Sequence, residues 1–460
     1  MLNRFGYPAL AALFLLGACT HEAESPAVDA APAAVPEAAT ETFSIRLFDK
    51  TIGQMVATTQ GNDISVDYEY RNNGRGPTLA EEVELGADGL PVSWKVDGAT
   101  TFGNEIHETF ALADGVANWT DTTGPGSAEK MEPTIYIPQN GTPYALAVYA
   151  KALLADADHK LPAWPAGELS LDELEKVTVD GAAGPVEATA WALVGDDVDP
   201  TYFLTDADNQ LFAFISPRFV IVREGYEGAE HQLTDLATRL STERLEAIQA
   251  ATAHKFDAPL AITNVRIFDP HAKALTALST VTVKDGVITA VVPGVTDVGG
   301  DYVVDGQGGT LVPGLIDMHA HLGQDGALKN IAAGVTLVRD MGNDNAVLKE
   351  LIGKIDAGTL AGPRVVRSGF IEGKSPFSSN NGILVNSEEE AVAAVDWYAD
   401  QGDFWQIKIY NSMNPAWVPA IVKRAHERGL RVTGHVPAFT DANHMIEAGY
   451  DEMTHINQVM

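Results

Sequence analysis

The stretch LVPGLIDMHAHLG (residues 311–323) sets two histidines one residue apart, directly after a Pro-Gly turn and an apolar run. On a strand successive side chains alternate faces, so His319 and His321 point the same way. Neutral imidazoles side by side make a clamp for a divalent metal, although a bare His-x-His also ends ordinary polar strands. The residues downstream decide between the two. From Leu315 onward short apolar strands alternate with helical stretches, the pattern of βα units around a parallel sheet. Six strands are predicted: LIDMHAH (315–321), GVTLVRDM (334–341), RVVRSGFIEG (364–373), FWQIKIY (404–410), RVTGHV (431–436) and EMTHIN (452–457). Two of the intervening helices, 387–400 with an acidic first turn and 415–428 with a basic last turn, suit the helix dipole. Repeated units of this length predict an α/β fold, a TIM-like (β/α) barrel of which the first six units are present. No Gly-x-Gly-x-x-Gly loop follows any strand, which argues against an open doubly wound sheet.

Polar residues stand at or near the C-terminal ends of these strands, where a barrel builds its active site. His319 and His321 end the first, Lys408 is near the end of the fourth, His435 ends the fifth and His455 the sixth. His426 and His444 fall on helices and the other six histidines precede the barrel, so none of the eight is assigned to the site. Lys408, flanked by Ile407 and Ile409, is directed into the barrel, where an unpaired ammonium is costly. A protonated lysine also has no lone pair for a metal. Reaction with carbon dioxide removes both problems, giving an anionic carbamate whose oxygens bridge two metals. Pairing with a carboxylate such as Asp340 is the alternative.

LVPGLIDMHAHL, the Lys408 strand, TGHV and THIN together resemble the amidohydrolase superfamily, in its binuclear branch. GVTLVRDMG and the loop after RVVRSG are similar to its prolidase-like and imidazolonepropionase-like members. The resemblance covers residues 260–460. It implies that His319 and His321 hold one metal, His435 and His455 a second, and carbamylated Lys408 bridges them. A hydroxide between the ions then attacks a carbonyl polarised by the second ion. Zinc is the ion expected for imidazole-rich ligation. The family also needs an aspartate at the end of an eighth strand, as metal ligand and proton carrier. This chain stops at Met460, past the sixth strand, so it reads as a piece of a longer protein and is not expected to turn over substrate alone.

The function implied is metal-dependent hydrolysis of carbon–nitrogen bonds in a small-molecule or dipeptide substrate, such as dipeptides or N-acyl amino acids. A mononuclear deaminase or cyclic-amide hydrolase of the same superfamily is a second reading, against which Lys408 argues because mononuclear members need no bridge. An inactive surface lipoprotein that binds a ligand is a third. Specificity is expected in the loops after the strands, especially 372–386 and the Tyr410-Asn411 turn. Tyr410, two residues from Lys408, either hydrogen-bonds substrate at the mouth or packs as an aromatic.

The remaining residues bound this picture. A chain of 460 residues is long enough for two or three domains. Thirty basic against 63 acidic residues give a formal charge of −33, so nucleic acid, which needs a basic face, is excluded as a partner. MLNRFGYPALAALFLLGACT at the N-terminus reads as an export signal over residues 1–18. Leu16-Gly17-Ala18-Cys19 resembles the lipobox of bacterial lipoproteins, which makes Cys19 the lipidation site. The expected location is the bacterial cell envelope, lipid-anchored and either periplasmic or surface-exposed, with oligomers possible. Cys19 is the one cysteine, so disulfides within the chain are impossible. Residues 19–40, rich in Ala, Pro and Glu, read as a disordered tether.

Residues 41–259 alternate apolar and polar side chains between turn signals at 87–89, 113–115 and 207–209, predicting an antiparallel β-rich domain with helices at 144–156 and 231–253. Asp206-x-Asp208-Asn209 lacks the glycine and glutamate of a calcium loop and is read as a hairpin turn. No catalytic constellation is identified in this domain. Residues 260–312 form a small β unit similar to the family's β-sandwich.

Overall fold

Every second side chain is buried along Asp63–Tyr70 (DISVDYEY) and Thr78–Leu85 (TLAEEVEL), as strict alternation demands of strands with one wet face. The computed structural model describes residues 37–456, apart from 73, 131–132, 183, 296–301 and 380. The export signal, Cys19 and nearly all of the tether lie outside the described residues. From Ala38 onward the chain forms one unit. Among the described residues no helix is long and apolar enough to cross a membrane.

Fifteen strands between Ala39 and Arg223 make one sheet, antiparallel except where Ile135–Tyr136 runs beside Lys160–Trp164. It consists of two meanders joined where Ala39–Leu47 pairs with Val220–Arg223. The sheet curls over on itself. Phe110 stacks on Tyr136 at 4.2 Å and lies 5.9 Å from Trp164, although their strands are near opposite ends of the strand order. Inside the curl runs the helix Ala145–Ala155, whose sequence ALAVYAKALLA is apolar nearly all round; Leu146, Tyr149 and Leu153 pack among Trp94, Phe110 and Trp191. Asp206–Asn209 is a hairpin turn with Asn209 at φ 58°, and Asp206 pairs with Arg223.

Two carboxylates are buried in this core. Glu108 accepts from Tyr136 Oη at 2.8 Å and from the backbone N–H of Gln139 at 2.7 Å and of Asn140 at 3.0 Å, which ties a turn to the sheet. Glu81 accepts from Trp94 Nε1 at 2.7 Å and is bonded to the Thr142 hydroxyl. Burial raises its carboxyl from 4.5 to about 7, against the opposing pull of those hydrogen bonds. The folded form therefore binds the proton more tightly than the unfolded chain does. The stability this gives is fully present below pH 4.5 and is lost as pH rises through 7. A shift of that size is worth about 3 kcal/mol. Urea unfolding of the wild type is expected to show falling stability between pH 5 and 8, and Glu81→Gln is expected to flatten that slope. An unchanged slope in the variant would assign it to other groups.

The helix Glu230–Thr252 fastens this domain to the rest. Leu233, Leu236 and Leu240 pack on Phe212, Val220 and Tyr226, whereas Leu245 joins Ala320, Leu322, Ala327 and Val338 of the first βα units of the parallel sheet. Arg244 and Lys329 both pair with Asp199, one from each side of the junction.

The residues after Leu260 form one six-stranded sheet of mixed direction. The sandwich expected here is represented by this single sheet, on which Val287, Ile288, Val291 and Val292 remain exposed. Beyond it, parallel strands Leu315–Ala320, Val335–Asp340, Arg364–Gly373, Phe404–Ile409, Arg431–Gly434 and Glu452–Met453 lie side by side in that order, with Ile383–Val385 paired to the end of the third. The six expected strands are observed, but all except the third end sooner than expected, by one residue in the first, second and fourth and by more in the fifth and sixth. His321, His435 and His455 consequently lie on the turns just past them. A flat sheet would separate the first and sixth strands by about 24 Å. Instead Arg339 of the second strand donates to both oxygens of Glu452 on the sixth, each at 2.6 Å. The His319 and His455 rings are 4.8 Å apart. The sheet is therefore curled into a half-barrel whose C-terminal strand ends face one another.

Candidate functional site

The curl gathers His319, His321, Lys408, His435 and His455 from four strand ends into one cluster. Ring centroids are 5.5 Å apart for His319 and His321, 4.8 Å for His319 and His455, and 4.6 Å for His435 and His455. Backbone contacts fix these positions. Gly434 sits at φ 148°, and a Cβ there would meet Ile409 O at 2.2 Å; this close approach lets His435 N donate to Ile409 O at 3.0 Å. His455 holds a left-handed backbone at φ 67°, which L side chains seldom adopt outside glycine.

Two histidines have their ring orientation set. His321 Nδ1 lies 2.6 Å from Gly342 O, and His435 Nδ1 lies 2.6 Å from Asn411 Oδ1. Carbonyl oxygens only accept, so each Nδ1 carries the hydrogen and the lone pair is on Nε2. Burial lowers the His319 imidazole to about 4 and the His435 imidazole to about 2, with the Lys408 charge next in effect; His455 is lowered for the same two reasons. These three rings are neutral at pH 7.

Lys408 is only 1% exposed. Its Nζ donates to Thr454 Oγ1 at 3.0 Å, and no carboxylate pairs with it among the described residues. The pairing with Asp340 left open by the sequence is not made. Asp340 instead accepts from Leu322 N at 2.8 Å, Gly342 N at 3.0 Å and Asn343 Nδ2 at 2.9 Å, fixing the turns after the first two strands. Burial, then the Arg339 charge, lowers the Lys408 amine to about 7, with Glu452 opposing.

Tyr410 packs as an aromatic. Its ring lies 4.0 Å from His435 and 5.1 Å from Phe370, and it also lines a cavity beside the cluster. Burial raises its hydroxyl above the ordinary value, with Glu372 adding to the effect. Glu372 is fully buried at the end of the third strand and accepts from the N–H of Ser379 and of Ser412, tying together the two loops expected to carry specificity; burial raises its carboxyl to about 7.

Sequence reasoning missed Arg339, Glu452, Thr454 and Asn411 as supports. Thr454 and Asn411 adjoin predicted site residues, so proximity was a usable signal; the Arg339–Glu452 pair had none.

The donor set suits a metal. Two imidazoles on one tetrahedral ion, with metal–nitrogen bonds of about 2 Å, place their ring centres about 5 Å apart, close to the spacings seen here. Among the described residues no three His, Cys or carboxylate side chains already form a complete cage; the rings lie next to one another.

No family model matches the chain. Uncharacterized proteins of Mycobacterium bovis and Mycobacterium tuberculosis are 29% identical to it over 182 residues, 34% of this chain and 47% of theirs. The chain thus spans about half the length of the curated relatives it matches. Among solved structures it is similar to a Xaa-Pro dipeptidase with bound methionine (22% identity, TM-score 0.36, 43% of this chain and 61% of that one). It is likewise similar to the bottromycin amidohydrolase (22%, 0.35, 46% and 45%) and to the A. niger ochratoxinase (18%, 0.35, 43% and 60%).

Proposed function

We propose that the whole protein is a metal-dependent hydrolase of carbon–nitrogen amide bonds, of the binuclear amidohydrolase kind that its motifs resemble, acting on dipeptides or N-acyl amino acids. The observation that carries this reading is the meeting of four histidines and a buried lysine at one end of the half-barrel. Two divalent ions, zinc on this imidazole-rich donor set, would be held by His319 with His321 and by His435 with His455, and would supply Lewis acidity and a lowered water pKa.

The chain's own residues then have defined tasks. Gly342 O and Asn411 keep Nε2 of His321 and His435 directed at the site. Lys408, buried without an anionic partner, has its ammonium form disfavoured, and beside two dications a carbamate would be the better-compensated form. Its neutral amine adds to carbon dioxide, forming the N–C bond and releasing one proton, and the resulting anion stands between the two histidine pairs. That buried lysine favours the binuclear reading over a mononuclear deaminase. Tyr410 orients the substrate beside His435, while the loops joined by Glu372 wall the mouth.

A panel of dipeptides, N-acyl amino acids, cyclic amides and aminated heterocycles, offered to the zinc-loaded protein, tests the proposal. Release of amine from the first two classes is expected, at least about 100-fold slower after chelation and restored by zinc. Ring opening or deamination alone, or hydrolysis indifferent to chelator, would remove the reading.

A further inference from the structure

Four loops at one end of the β-rich domain reach the mouth of the half-barrel. With Ser379, Asn381 and Tyr410 they enclose a cavity of about 380 Å³, within the range of small-molecule sites. The chain at Gly74 approaches the barrel closely, since a Cβ there would lie 3.7 Å from Phe377 Cδ1. Tyr410 forms part of the cavity wall while its ring lies 4.0 Å from His435, so the cavity opens beside the histidine cluster.

Its β-domain wall carries two arginines. Arg75 and Arg218 both line it, and neither has a carboxylate partner among the described residues. Among the described residues Arg266, Arg364 and Arg431 also make no ion pair, but Arg75 and Arg218 are the arginines that stand together on this cavity wall. The Arg75 guanidinium stands 5.9 Å from the Phe102 ring centre. Its charge also reaches the barrel side, acting on Tyr410 and His435. Phe102 is 78% exposed, and Phe48 is 45% exposed on a two-residue hairpin turn where it takes φ 50°. Such turns favour Asn and Gly, so a phenylalanine there bears backbone strain to present its ring.

We infer that the β-rich domain supplies the substrate-recognition wall of the site: Arg75 and Arg218 bind a carboxylate, and Phe48 and Phe102 cover an apolar or aromatic group beside it. The ligand class is a small acid carrying an aromatic or branched side chain. Guanidinium groups match carboxylates in geometry and stay charged, and aromatic rings supply apolar cover at little entropic cost. This deepens the hydrolase reading by assigning its substrate's charge, and it rests on that reading for the meaning of the neighbouring cluster.

Binding to the full chain stripped of metal by chelator tests the wall separately from catalysis. The probes are N-acetyl-phenylalanine, as its carboxylate, and the neutral N-acetyl-phenylalanine amide. The wild type is expected to prefer the carboxylate by roughly tenfold, with the preference shrinking as salt rises. Arg75→Ala with Arg218→Ala should erase that preference and leave amide affinity unchanged, while Arg75→Lys should keep part of it. Both arginines are exposed, so the far-ultraviolet circular dichroism of the variants should match wild type. Equal binding of the two probes by wild type, no binding of either, or a preference that survives the double substitution would each overturn the inference. Failure of the hydrolase reading would leave these binding results as they are and show only in metal content and turnover.

Discussion

Lys408→Ala is expected to lower kcat/KM for amide hydrolysis by the whole, zinc-loaded protein by about 10³-fold or more, which is about 4 kcal/mol of transition-state stabilisation. Two dications held by neutral imidazoles repel one another strongly where water is scarce. Lys408, a residue 1% exposed and bonded to Thr454, carries a charge that acts on His319, His435 and His455. As a carbamate it offers an anion that offsets the repulsion. The alanine leaves neither anion nor reach, and a short carboxylic acid added with bicarbonate is expected to restore part of the rate. Lys408→Arg tests the alternative of a purely structural cation, because arginine keeps the charge but does not form the carbamate. If arginine preserved the rate, the bridge would be excluded.

The second large effect concerns the curl. Glu452→Ala should destabilise the half-barrel by about 2–3 kcal/mol, at or below the low end for stranding a buried charge because Glu452 is itself partly open to water. Arg339, only 5% exposed, would keep its bond to Met318 O but lose both oxygens that now neutralise it. Since this pair ties the second strand to the sixth, amide hydrogen exchange in Val335–Asp340 and Arg431–Gly434 should accelerate while the β-rich domain keeps its protection. Wild-type exchange rates in Glu452→Ala would mean that the sheet curls for other reasons.

The two pairings that shape the site differ in how far the sequence discloses them. His319 and His321 were readable because a two-residue period and a Pro-Gly start define the strand locally. Lys408 was readable because isoleucines flank it. Arg339 and Glu452 lie 113 residues apart, and neither sits in a local pattern that names the other. The same holds for Phe110 and Trp164, whose contact reveals the curl of the large sheet. Strand order in the half-barrel followed from the alternation of strands and helices. Strand ends did not: the chain leaves the sixth strand at Met453 and turns through a left-handed His455, a conformation that no glycine or asparagine marks. The sandwich expectation came from the resemblance, and the described residues there form a single sheet. Arg75, Arg218 and Phe102 sit in loops of a domain where no catalytic pattern was found. Only their convergence on Tyr410 gives them a role.

Metal content, measured on protein loaded with zinc and passed through gel filtration, tests the central claim most directly. The account predicts two zinc ions per chain in the wild type, and one or fewer in His435→Ala and in Lys408→Ala. A wild type that retains no zinc, or variants that retain as much as it does, would contradict the assignment of this cluster as a metal centre.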